Sequence, residues 1–249
     1  MSTYLSKAPT PPWTGVGKRI ESMCRKALYD FDLLDDSDSI AIALSGGKDS
    51  LSLLFMLKAI LGAGFPNKRI VAVHVSGAYS CGAGVHISYL EDVCEQLGIT
   101  LVVKEVDQNP ETLECYSCSR KRRALLFDAA KEHGCKTIAF GHHKDDNVQT
   151  LLMNVLHKGE FAGNLPKVPM HQYGVTIIRP LIYVAERDIV TFATQEGFAR
   201  ITCQCPVGQN SLRRKTEKIV EELTRVYPNA VDNLSRVCLQ YGDTKALTP

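Results

Sequence analysis

Ser45-Gly46-Gly47-Lys48-Asp49-Ser50 joins an apolar run, Ile40-Ala41-Ile42-Ala43-Leu44, to a second, periodic apolar run from Leu51 to Leu61. That pattern predicts a strand, a tight glycine turn and a helix. Glycines let backbone amides approach a ligand closely, and a helix N-terminus adds partial positive charge, so the turn should attract phosphate. Lys48 supplies a full charge, and Ser45 and Ser50 supply hydroxyls. The structural alternative is a plain strand-to-helix turn capped by serine. Lysine, aspartate and two serines together favour the phosphate site.

Working outward, Val16 to Phe31 has helical spacing through Ile20, Met23, Cys24, Ala27 and Leu28. Ile70-Val71-Ala72-Val73-His74-Val75 has the continuous β-branched character of a strand buried on both faces. The loop Ser76 to Gly84 is small and glycine-rich, so a bound nucleotide can pass close to it. Val85 to Leu97 is predicted helical and Leu101 to Val106 a third strand. This alternation predicts an α/β fold, a doubly wound parallel sheet. A helix follows from about Ser119 to His133, then a strand at Thr137-Ile138-Ala139-Phe140 and a helix from Val148 to His157. Lys158 to Gln172 reads as a loop, Val175 to Ile178 as a short strand and Ala185 to Glu196 as a helix. Ser211 to Val226 and Asn229 to Tyr241 read as two helices joined at Pro228. The expected organisation is an extended N-terminal tail (1–17), one α/β domain (18–208) and a small C-terminal helical extension (209–249).

The length of 249 residues suits one such domain with a small appendage. A net charge of +2 is too small to mark a nucleic-acid binder by itself, so any basic surface must be local. No apolar stretch approaches the length of a membrane span, and Met1 to Gly15 lacks the apolar core of a secretion signal, so a cytoplasmic protein is expected. Nine cysteines, unevenly spaced, argue against a disulfide framework. Cys24, Cys94, Cys135 and Cys238 sit among apolar neighbours and read as small buried residues. Cys81 lies in a flexible loop. Cys115, Cys118, Cys203 and Cys205 come in two close pairs and need a different explanation.

Cys115-Tyr116-Ser117-Cys118 runs directly into Ser119-Arg120-Lys121-Arg122-Arg123. Neighbouring cations favour thiolates and can also meet nucleic-acid phosphate, although a solvated helix face would read the same. Zinc, an iron–sulfur cluster and dithiol redox are all open to a lone Cys-x-x-Cys, and Cys203 with Cys205 could complete a zinc site. Gly141-His142-His143-Lys144-Asp145-Asp146-Asn147 crowds polar residues at the C-terminal end of a predicted parallel strand, where such sheets bind ligands. Paired carboxylates there can hold Mg²⁺, orient a substrate or move a proton, and Asp49 is a further carboxylate near the phosphates. His74 is isolated in its strand and reads as packed rather than catalytic.

Ser45-Gly46-Gly47-x-Asp49-Ser50 resembles the signature of the PP-loop ATP-pyrophosphatases, and the Gly-x-x-x-x-Gly-Lys-Ser/Thr spacing of the nucleoside-triphosphatase P-loop is absent. With Cys115-x-x-Cys118, Gly141-His142-His143-x-Asp145-Asp146, Arg179-Pro180-Leu181 and a late cysteine in that order, the chain is similar to the tRNA 2-thiocytidine synthetases (the TtcA group) from about Lys18 to Pro228. The resemblance implies an adenine nucleotide alpha hydrolase-like fold and ATP-dependent thiolation of a tRNA base, namely 2-thiocytidine formation at cytidine 32. The base C2 oxygen is adenylated, and sulfur is then transferred through a [4Fe–4S] cluster. It implies ATP binding by Ser45, Gly46, Gly47, Lys48, Asp49, Ser50, His74, Gly141 and His142, with Mg²⁺ at the phosphates. Asp146 and Arg122 take the catalytic places, and Cys115, Cys118 and a late cysteine hold the cluster. The implied partners are tRNA, ATP and a sulfur donor such as a cysteine desulfurase; no membrane is implied, and a homodimer is compatible. Arg120 to Arg123, Lys158, Lys167 and Arg213 to Lys215 are the expected contacts to the tRNA backbone.

The chain departs from the pattern at the late cysteine, where Cys203-Gln204-Cys205-Pro206 replaces a Cys-x-x-Cys. A one-residue gap places Cys205 on the ligand position, and Cys203 is the alternative. Terminal paired Cys-x-x-Cys zinc modules, which mark the related 2-thiouridine enzymes acting at uridine 54, are absent from the sequence. The competing functions are a PP-loop adenylating enzyme acting on another base, as in 2-thiouridine formation, or on a small molecule with zinc in place of a cluster, and a non-catalytic zinc-stabilised RNA-binding protein.

Overall fold

A computed structural model of the chain describes residues 7–77, 87–106, 115–198 and 212–242, with the side chains of Cys115 and Tyr116 outside that description. Strand β1 (Ser39–Ala43) is the centre of the sheet. Its side chains alternate, so that Ile40 and Ile42 enter one core and Ala41 the other. Strand β2 (Arg69–Ser76) repeats this in register, with Ile40 opposite Ile70 and Ala41 opposite Val71. Both faces are therefore covered, as a parallel sheet requires.

The remaining strands are β3 (Thr100–Glu105), β4 (Thr137–Ala139), β5 (Lys167–Met170) and β6 (Val175–Ile178), and the six lie in the order β3-β2-β1-β4-β6-β5. Five run parallel, as expected, and β5 runs antiparallel to β6 at the edge. The sequence reads this strand as part of a loop. Pro169 explains the misreading, because proline cannot donate to a central ladder and is tolerated only at an edge.

Helices α1 (Gly15–Asp30), α2 (Lys48–Ile60), α3 (Ile87–Leu97) and α6 (Glu186–Gln195) contribute to the larger core. Helix α2 is buried on most sides because it lies between the sheet and helices α1 and α6. Helix α4 (Cys115–Glu132) covers the opposite face through Phe127, Ala129 and Ala130. Helix α5 (Lys144–Lys158) packs against α7 (Leu212–Val226) and α8 (Ala230–Tyr241) instead of lying across the sheet. Gly163 makes the α5–α8 contact feasible, since a Cβ there would sit 2.3 Å from both Asn147 Oδ1 and Cys238 Sγ. Near the amino terminus, Ala8 and Trp13 are buried, the latter edge-on to Phe192.

Two helix starts differ from expectation. Helix α4 begins at Cys115, not near Ser119, so the Cys-x-x-Cys occupies its first turn. Helix α5 begins at Lys144, not Val148, because His143 and Asp146 form a reciprocal capping box ahead of the apolar residues. Cys81, Cys203 and Cys205, and most of the Ser76 to Gly84 loop, lie outside the described residues.

Candidate active site

Strands β2 and β4 flank β1 on opposite sides, so the connections diverge at the carboxyl end of β1. A crevice at such a divergence is where open α/β sheets receive ligands. The glycine turn leaves β1 there, and Gly141-His142-His143 leaves β4 beside it. Gly46 has φ +81°, a conformation that a side chain would strain, and Gly47 is the N-cap of α2. The buried Ser50 hydroxyl donates to the Gly47 carbonyl at 3.0 Å and lies 3.0 Å from Ser45 Oγ, which fixes the turn from within. Helix α2 has amides in its first turn that the helix itself cannot satisfy, the raw material of an anion site.

Gly141 holds the two connections together. A Cβ there would lie 3.0 Å from the backbone of Asp49 and Ser50, so only glycine allows the end of β4 to rest on the first turn of α2. Lys48 Nζ lies 2.9 Å from Asp49 Oδ1 and 2.9 Å from Glu186 Oε1 at the start of α6. Burial pulls its pKa down, but Asp49 and Glu186 outweigh burial and the ammonium titrates above its ordinary value. Lys48 is therefore a cation already provided with counter-ions.

His143 is buried among three carboxylates. Its Nε2 lies 3.7 Å from Asp49 Oδ1 and 3.5 Å from Asp146 Oδ2, and its Nδ1 lies 3.7 Å from Asp145 Oδ2. The carboxylates have separate tasks. Asp145 Oδ2 accepts from the Glu186 amide at 2.7 Å, which ties α5 to the start of α6. Asp146 Oδ2 accepts from the His143 amide at 3.0 Å, and its Oδ1 is paired with the Arg213 guanidinium. Among the described residues, no His, Cys, Asp or Glu side chains converge as a metal-binding group of three. Burial opposes the charge of Asp146, yet His143 and Arg213 hold its carboxyl below the ordinary value.

His142 stacks on Phe140 and accepts at Nδ1 from Arg179 Nε at 3.3 Å. Burial, reinforced by Arg179, pushes its pKa down to about 3, so the imidazole is neutral at physiological pH. Arg179, from Arg179-Pro180-Leu181, also donates to the Leu165 carbonyl. Burial, then the charge of Arg123, lowers Arg179 to about 10, and it stays cationic.

His74 is only 2% exposed, and its Nδ1 meets the Leu44 carbonyl at 2.8 Å. It sits inside the wall of the crevice, joining the ends of β1 and β2. Arg122 Nη2 donates to the Val75 carbonyl at 3.2 Å, which brings the early part of α4 to the same end of the sheet. Cys115 and Cys118 are one turn apart at the start of that helix, and Cys118 is partly buried. Cys24, Cys94, Cys135 and Cys238 are buried, as their apolar neighbours suggest. Burial raises the Cys94 thiol to about 12 and raises Cys24 further. Neither offers a thiolate.

Two residues of the crevice escape the sequence reading, Glu186 on Lys48 and Gln149, which accepts from Arg213 Nε at 3.1 Å. Arg213, an expected tRNA contact, pairs with Asp146. Lys167, another expected tRNA contact, pairs with Asp32 at 3.4 Å. Glu186 reads in sequence only as an acidic first-turn residue that suits any helix.

The family described as the PP-loop domain matches residues 16–203. The tRNA-cytidine(32) 2-sulfurtransferase of Geobacter sulfurreducens is 35% identical over 227 residues, covering 88% of each chain. Its counterpart from Citrifermentans bemidjiense is 33% identical over 220 residues, covering 84% of this chain and 85% of the relative. Among solved structures, the U34-tRNA thiolase NcsA from Methanococcus maripaludis with its [4Fe-4S] cluster superposes with a TM-score of 0.73 at 23% identity, covering 95% of this chain and 86% of that one. At that identity the likeness is one of fold.

Proposed function

The chain belongs to the PP-loop domain family, and from that premise we propose that it is an ATP-dependent tRNA-cytidine 2-sulfurtransferase acting at cytidine 32. Relatives of that name at 33–35% identity over most of the chain support the substrate. One observation carries the chemistry. The helix that begins with the Cys-x-x-Cys reaches the carboxyl end of the sheet onto which the glycine turn opens, through Arg122 and the Val75 carbonyl 3.2 Å away.

A [4Fe–4S] cluster fits the donor set. Two cysteines stand one turn apart at a helix N-terminus, followed by the basic run Arg120 to Arg123, and cysteine thiolates are the usual ligands of such clusters. Cys115, Cys118 and Cys205 would hold it, with Cys203 the alternative to Cys205. Three protein ligands would leave one iron without a protein ligand, and the cluster would supply sulfur for transfer there.

ATP, as its Mg²⁺ complex, lies with its phosphates on the glycine turn. The first-turn amides of α2 and the Lys48 ammonium meet the triphosphate, and Lys48 exchanges Glu186 for phosphate oxygen. The cytosine O2 attacks the α-phosphorus, the bond to the bridging oxygen breaks, and pyrophosphate leaves. Sulfide then attacks C2, the C2–O bond breaks, and AMP departs with the original oxygen and the electron pair of that bond. Arg122 offers positive charge to the adenylate, and Asp146 offers an ionised carboxylate to the base. Such access requires an unpaired nucleotide turned out of its stack.

Anaerobically purified protein incubated with ATP, sulfide and unmodified tRNA tests this reading by mass spectrometry of the nucleosides. Formation of 2-thiocytidine at position 32, with AMP and pyrophosphate released, is the expected result. A thiolated uridine, or a colourless protein carrying one zinc, overturns it.

A further inference from the structure

The glycine turn should gather negative charge, yet Asp146 places a partly buried carboxylate beside it. Asp146 and Asp49 flank the same His143 nitrogen, at 3.5 and 3.7 Å. A second fixed anion so close to the triphosphate repels it unless the charge is balanced. The balancing group comes from outside the α/β layers. Arg213, in the first turn of α7, pairs its Nη2 with Asp146 Oδ1 while its Nε donates to Gln149 Oε1 at 3.1 Å. Gln149 is itself buried, one turn along α5 from Asp146. With Oδ2 on the His143 amide at 3.0 Å, both carboxylate oxygens are fixed in direction. The remaining charged or titratable groups around Asp146 are His142 and Arg179 from the β4 and β6 connections, and Asp145 on its own helix. Arg179 is committed to His142 and the Leu165 carbonyl.

We infer that Arg213 is a positioning residue that orients the Asp146 carboxylate and offsets its charge beside the phosphate site. This rests on the reading of the glycine turn as an ATP site, and it assigns Arg213 to the crevice instead of the tRNA backbone. Helix α7 is thereby part of the nucleotide site, although it packs chiefly against α5 and α8.

The test is a double-mutant cycle on the full chain, read as the affinity of a non-hydrolysable ATP analogue by calorimetry. An unpaired carboxylate roughly 8 Å from a phosphate charge, at an effective dielectric of about 20 to 40, corresponds to about a five- to thirtyfold loss of affinity. Arg213→Gln should show that loss. Asp146→Asn combined with Arg213→Gln should return the affinity to within about twofold of Asp146→Asn alone, and Arg213→Lys should retain most of it. The affinity of Arg213→Gln for tRNA should be unchanged. The inference is overturned if Arg213→Gln binds the analogue normally, if the two losses simply add, or if tRNA affinity falls instead. A wild type that binds the analogue but makes no thiolated base overturns only the assigned activity. One that binds no nucleotide overturns both.

Discussion

Glu186 Oε1, from the first turn of α6, lies 2.9 Å from Lys48 Nζ and makes α6 a wall of the glycine turn. The ammonium cannot meet a triphosphate and keep both carboxylate partners at full strength, so Glu186 competes with the ligand. Both groups are partly exposed, which weakens the competition. Glu186→Gln should therefore tighten binding of an ATP analogue by about threefold, the size of a screened surface pair. Lys48→Met should weaken it by at least about tenfold, as loss of a charge-assisted contact would. Isothermal titration of both variants checks the pair. Weaker binding by Glu186→Gln would show that the carboxylate organises the lysine instead of competing for it.

The two glycines at the crevice should fail in different ways. A Cβ on Gly47 would find only Ser45 Oγ at 3.5 Å, and the residue has an ordinary φ of −74°. Gly47→Ala should fold with nearly wild-type stability and lose nucleotide affinity, because the new methyl group stands where the amides must be approached. Gly141→Ala forces a methyl to 3.0 Å from the backbone of Asp49 and Ser50, and backbone at a helix start yields poorly. It should lose about 1–3 kcal/mol in urea unfolding, the usual cost of overpacking.

Acid should destabilise the fold through His142. Its folded pKa of about 3 lies below the ordinary histidine value. Between the two values the unfolded chain binds a proton that the folded chain refuses, so stability falls as pH drops from about 6.5 towards 3. Above that window His142 contributes no pH dependence. The slope from this one group is at most about 1.4 kcal/mol per pH unit. Urea unfolding of wild type and His142→Asn at pH 7, 6 and 5 should show the variant with the shallower decline. Parallel slopes would remove His142 as the cause.

The alternation of strand and helix is legible in the sequence because the β1 and β2 segments carry near-continuous apolar runs and helices such as α1 and α3 bury one periodic face. The edge strand β5 is not legible, since Pro169 and the glycines before it carry the local signature of a loop and only pairing with β6 makes it a strand. The glycine turn announces itself because its ligand-facing groups are contiguous. The companions of Lys48 and Asp146 are Glu186 and Arg213, distant in sequence and ordinary in their own helices. Only packing of α6 and α7 at the strand ends brings them in. The helical setting of Cys115 and Cys118 was hidden for a related reason, as a Cys-Tyr-Ser-Cys turn has no apolar stripe of its own.

Position, not mere possession of a thiol, should decide which cysteines matter for iron. Cys118 stands partly buried in the first turn of α4, one turn from Cys115 and just ahead of the basic run Arg120 to Arg123. Cys94 is buried in α3, and burial raises its thiol to about 12, so it should remain a protonated apolar filler. Cys118→Ser should therefore lose most of the iron bound after anaerobic reconstitution, together with the visible absorption of a cluster. Cys94→Ala should keep its iron and lose about 1 kcal/mol of stability, a small-cavity cost. The same measurement separates the late cysteines, because a cluster held by three thiolates tolerates loss of a bystander and not of a ligand. If Cys205 is the third ligand, Cys205→Ser should behave like Cys118→Ser and Cys203→Ser like wild type. The reverse pattern would move the ligand to Cys203, and retention of iron by both variants would show that neither cysteine binds it.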